Sequence, residues 1–103
     1  MKRPDFEAFR ETFLHCLSAF TGRDLLELPE VKWAEVGAED ARRELLEVVI
    51  VKLRESHGVE FEINHRLLSL EGPVESLIIQ AYHELNTIYL MERIYAKIRA
   101  KLN

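Results

Sequence analysis

Residues 72–103 read GPVESLIIQAYHELNTIYLMERIYAKIRAKLN, and this stretch decides the fold. Gly72-Pro73 opens it, and no further Gly or Pro interrupts the thirty residues that follow. Pro73 suits the first position of a helix, where its missing N–H costs nothing. Val74, Ile78, Ala81, Leu85, Ile88, Met91, Tyr95, Ile98 and Leu102 then recur at spacings of 4 and 3, the helical period. A second row of Ile79, Tyr82, Tyr89, Leu90 and Ile94 widens the apolar surface to roughly half the circumference. The spacing predicts one helix over 73–102. At ~1.5 Å per residue it extends about 45 Å, against about 26 Å for twice the ~13 Å radius of gyration of a chain this long. Part of the helix is therefore expected to protrude and to pack against a second chain.

Two more helices follow from cap and stop signals upstream. Pro4-Asp5 reads as a helix start with Asp5 as N-cap, Phe6, Phe9, Phe13, Leu17 and Phe20 form a buried stripe, and Thr21-Gly22 is a stop. This first helix, near 5–21, is expected to seat its phenylalanines against the long C-terminal one. A second helix near 38–57 has acidic Glu39 and Asp40 in its first turn, a core stripe of Ala41, Leu45, Val48, Val49 and Leu53, and a His57-Gly58 stop. Its Leu45–Val51 run is apolar nearly all round, which predicts burial on more than one side and a place at the centre of the fold. Between these helices, 23–37 is a connector in which Leu25–Pro29 fits one helical turn and Trp33 a lid over the edge of the core.

Residues 59–70 admit two readings. Val59, Phe61 and Ile63 alternate with Glu60 and Glu62, and a turn at Asn64-His65 would pair Phe61 with Leu68 and Val59 with Leu70 in a β-hairpin. Alternatively, Asn64 caps a short helix through Leu70. The expected fold is mainly α, a single helical domain over 1–103 with a three-helix core, a long C-terminal helix and a short helix or β-hairpin at 59–70.

Composition narrows the function classes. The chain is 48% hydrophobic and 31% charged, as globular domains are. Its net charge of −4 argues against nucleic-acid binding, which requires clustered basic surface. Charge is unevenly spread: residues 24–62 hold eleven acidic side chains against five basic, whereas 92–103 carry Arg93, Lys97, Arg99 and Lys101 against Glu92. Basic residues near a helix C-terminus complement its dipole, and they also suit an acidic partner or the acidic middle of a second copy. Cys16 is the only cysteine, so no internal disulfide and no zinc pattern arises, and a reducing cytoplasm fits best. The N-terminal segment, interrupted by Glu7, Arg10, Glu11 and His15, is too polar for a signal peptide or membrane span.

Candidate sites concentrate on the long helix. Ser76, Gln80, His83 and Thr87 form an uncharged polar stripe at i, i+4, i+7 and i+11, a composition that suits a half-buried interface better than open solvent. Tyr82 and Tyr89 share a face beside it. Partner contact is expected through Tyr82, His83, Leu85, Ile88, Tyr89 and Tyr95. Glu62 and His65 have the ExxH spacing of carboxylate-bundle metal sites, which a dimer would duplicate. His15 and Cys16 are helical neighbours about 100° apart, so they cannot act as a nucleophile and base pair. A pocket lined by Phe9, Phe13 and Trp33 would suit a small-molecule sensor or carrier. With no P-loop, GxGxxG or zincin motif, the reading is a non-enzymatic, homodimeric or higher-order helical adaptor or regulator, cytoplasmic, with a protein partner and no cofactor; a metal-binding bundle and a small-molecule carrier are the alternatives.

Overall fold

A computed structural model of the chain describes residues 4–59 and 65–102. Four α-helices follow one another: α1 (Phe6–Thr21), α2 (Glu39–His57), α3 (His65–Leu68) and α4 (Val74–Leu102). The Asp5 side chain accepts a hydrogen bond from the Ala8 N–H and starts α1 as its N-cap. Gly22 (φ 73°) and Gly58 (φ 66°) end α1 and α2 in the left-handed conformation that glycine adopts without a Cβ penalty. The connector contains 3-10 turns at Leu28–Glu30 and Trp33–Glu35.

No strand is present among the described residues. One isolated antiparallel bridge, Lys32 with Pro73, ties the connector to the start of α4: the Trp33 N–H donates to the Gly72 carbonyl (2.8 Å) and the Val74 N–H to the Val31 carbonyl (2.8 Å). The second of these bonds occupies one of the N–H groups that a helix start leaves without an internal partner. Of the two readings of 59–70, His65–Leu68 is helical, so the returning arm of a hairpin does not form; its first arm, from Glu60 to Asn64, lies outside the described residues.

The buried side chains form one cluster drawn from every helix and from the connector. Phe9, Phe13 and Leu17 of α1 meet Leu46, Val49 and Leu53 of α2 on one side and Leu77, Ile78, Ala81 and Leu85 of α4 on the other, with Leu28, Trp33, Val59, Leu67 and Leu68 closing the ends. The phenylalanines seat α1 on α4 as expected, Tyr82 packing against Phe6 (5.3 Å between ring centroids) and Phe9 (5.1 Å).

Three expectations are corrected. Phe20, placed in the buried stripe of α1, is 62% exposed, lying one residue before the helix ends and lining an open recess beside α2. The buried face of α2 is Leu46, Val49, Ile50 and Leu53; Ala41 is exposed and Leu45 and Val48 are only half-buried, so the helix is rotated from the stripe read in its sequence. α2 is also not the centre: α1 packs against both other long helices, and Val51 on the far side of α2 is 47% exposed.

The overall dimensions are 52 × 23 × 19 Å, with a Cα radius of gyration of 15.0 Å. A compact chain of this length has a radius near ~13 Å. The excess comes from α4, which is buried only through Leu85 and is exposed at every residue from Leu90 to Leu102.

Candidate interaction surface

α4 consists of an anchored half and a free half. The anchored half is held by its buried face, by the bridge to Val31 and Trp33, and by Arg10 of α1, whose Nε donates to both carboxylate oxygens of Glu75 at 3.0 Å. Beyond it, Leu90, Met91, Ile94, Tyr95, Ile98 and Leu102 are exposed, from 42% at Ile94 to 81% at Leu102. At 100° per residue these six span an arc of about 140°, wider than the seam of a two-stranded coiled coil. Arg93, Lys97 and Lys101, at i, i+4 and i+8, run along one edge of that arc.

The residues expected to contact a partner fall into distinct environments. Leu85 is corrected: it is fully buried within its own chain and belongs to the core. Tyr82 is half-buried and internally engaged, its hydroxyl donating to the Pro4 carbonyl at 2.9 Å while its ring meets Phe6 and Phe9. Ile88 and Tyr89 pack against the edge of the core. His83 and Tyr95 are exposed. In the polar stripe Ser76 and Gln80 are half-buried, and the Thr87 hydroxyl donates to the His83 carbonyl one turn back. Ile94 and Ile98 lie seven and eleven residues beyond Thr87, so the polar stripe and the apolar stretch form one uncharged face along α4.

A second exposed apolar surface was not anticipated as a site. Phe20, Val36, Ala41, Leu45 and Val48 line an open recess of about 490 Å³ between the end of α1 and the start of α2. It continues along α2 into a recess of about 610 Å³ lined by Val48, Val51, Glu44, Glu47, Lys52 and Glu55. Asp40, Glu44, Glu47 and Glu55 are exposed beside these apolar side chains, with Arg23 lining the first recess and Lys52 the second, 3.8 Å from Glu55. The signal in the sequence was the all-round apolar character of 45–51.

Glu62 lies outside the described residues and His65 opens α3, so their ExxH relation does too; among the described residues no three His, Cys, Asp or Glu side chains gather as a metal site would require. Phe9, Phe13 and Trp33 are fully buried within the core cluster, so they pack against other side chains instead of lining an open pocket. Trp33 Nε1 is buried with no hydrogen-bond partner among the described residues. Cys16 is buried, and that burial pushes its thiol pKa above the ordinary 9.0, with Lys52 acting in the opposite sense. No described helix is long and apolar enough to cross a membrane.

No family model, no curated protein and no solved structure matches this chain.

Proposed function

We propose that this chain is a small, non-enzymatic helical adaptor or regulator of the cytoplasm that self-associates through the free half of α4 and presents that helix to a protein partner. One observation carries the reading: six large apolar side chains lie exposed together on residues 90–102, on a helix whose other half is fixed in the core. Contiguous apolar surface of this kind marks interaction sites in folded proteins. α1 and α2 then act as a pedestal that holds α4 and keeps its orientation defined, which lowers the ordering cost of binding.

Magnitudes favour an assembly in which both tails are engaged. Completing the burial of a half-exposed Leu, Ile or Met returns ~1 kcal/mol, hence about 6 kcal/mol for one tail. Association costs ~4–15 kcal/mol in lost rigid-body freedom, so one docked tail falls near the bottom of that range and two, at about 12 kcal/mol, offset most of it. The partner-binding residues of this reading are Tyr95 with Met91, Ile94 and Ile98, flanked by His83 and Thr87.

Light scattering at micromolar concentration tests it. The wild type is expected at twice the 12.1 kDa chain mass, and Ile94→Asp/Ile98→Asp at the mass of one chain, still folded by circular dichroism because both side chains are exposed within their own chain, with a thermal melt lowered by the loss of the dimer. A wild type that stays at one chain mass sinks the self-association reading. For the partner, a pull-down from native cytosol comparing wild type with Tyr95→Ala/Ile98→Ala should lose one specific protein from the variant.

A further inference from the structure

We infer that the free half of α4 docks into the groove along α2 of a second copy, reciprocally, so that each chain gives a tail and receives one. The inference rests on the self-association reading above and names the receiving surface. Length, polarity and charge each support the pairing. The tail from Leu90 to Leu102 is ~18 Å long, and the groove from Ala41 to Glu55 offers ~21 Å. The groove floor of Leu45, Val48 and Val51, with Phe20 and Val36 at one end, is apolar and uncovered, as is the tail.

Charge is complementary across the two. Arg93, Lys97 and Lys101 edge the tail at intervals of about 6 Å, and the groove is acidic on balance, Glu44, Glu47 and Glu55 lining it against Arg23 and Lys52, with Asp40 exposed at its start. Two tails zipped against each other would instead bring like charges together, Glu92 being the only acid among them. The tail cannot reach its own α2, since α4 runs as one uninterrupted helix to Leu102 and carries its end away from the body of the molecule. A two-fold axis relating the copies gives two equal contacts and closes the assembly as a dimer.

Charge reversal separates this arrangement from others. In sedimentation equilibrium, Glu44→Lys/Glu47→Lys and Lys97→Glu/Lys101→Glu should each weaken the homodimer by about a hundredfold or more, and an equimolar mixture of the two should restore a dimer, because each basic surface then meets an acidic one. All four side chains are exposed, and circular dichroism confirms that each variant is folded. If the Glu44→Lys/Glu47→Lys chain dimerises as tightly as the wild type while Ile94→Asp/Ile98→Asp is monomeric, the tail is an interface but the α2 groove is not its receptor. A wild type that is monomeric throughout removes both this inference and the reading beneath it.

Discussion

Arg42 is the side chain on which three segments converge. Its Nε donates to the Gly37 carbonyl (3.1 Å), one of its terminal nitrogens donates to the Leu68 carbonyl (2.7 Å), and its guanidinium carbon lies 5.8 Å from the centroid of Trp33. It thereby holds the start of α2 to the end of α3 and covers the one tryptophan. Hydrogen bonds from a charged group contribute ~1.5–3 kcal/mol, so Arg42→Ala should cost about 2 kcal/mol in urea unfolding. Arg42→Lys should recover little, because an ammonium cannot address two carbonyls and a ring from one planar fork. Cys16 gives a second test at this scale. Its thiol is raised in the folded state by burial, so the stabilisation it brings is complete below the ordinary thiol pKa and fades as pH climbs through the higher folded value. Native protein at pH 8 should therefore react with Ellman's reagent far more slowly than urea-unfolded protein. A native rate equal to the unfolded one would show that Cys16 is not enclosed.

At the scale of elements, α4 behaves as two helices in one. Its anchored half is fixed by core contacts, whereas residues 93–102 have no buried side chain and a helix of about twelve residues is marginal in water on its own. Amides of 93–102 should exchange with solvent rapidly in dilute protein and become protected as concentration rises. At a dilution where the chain is monomeric, truncation after Glu92 should change the unfolding free energy by less than ~0.5 kcal/mol, since no core contact is lost, whereas at concentrations that favour the dimer it should lower the apparent stability. The division of α4 also marks what was legible beforehand. Asp5, Gly22, Gly58 and Pro73 act on their own few residues, so the three long helices could be read from local chemistry and period alone. Where the core stops along α4 could not be read, because the apolar period runs unbroken past Leu85 to Leu102. It stops because α1, 16 residues and ~24 Å long, covers only about half of a 29-residue helix. The rotation of α2 was hidden for a related reason: Leu45–Val51 is apolar on every side, so its sequence names no preferred face.

Across the whole molecule, charge is segregated: among the described residues α2 exposes Glu39, Asp40, Glu44, Glu47 and Glu55 against Arg43, Lys52 and Arg54, and the basic excess lies on the last three turns of α4. Such a distribution does little for the stability of one chain, because charges exposed to solvent are screened in physiological salt. Between two chains the same distribution steers the tail of one toward the α2 of the other and sets their relative orientation. Its contribution is screened by ions, while the apolar contacts beneath it are not. Raising sodium chloride from 50 mM to 500 mM should therefore weaken dimerisation by about tenfold, equivalent to ~1.4 kcal/mol, without abolishing it. Sedimentation velocity across the salt titration checks this dependence. An association that tightened with salt would mean that apolar surface alone drives it, and the charges at the two edges would then have no part in choosing the partner.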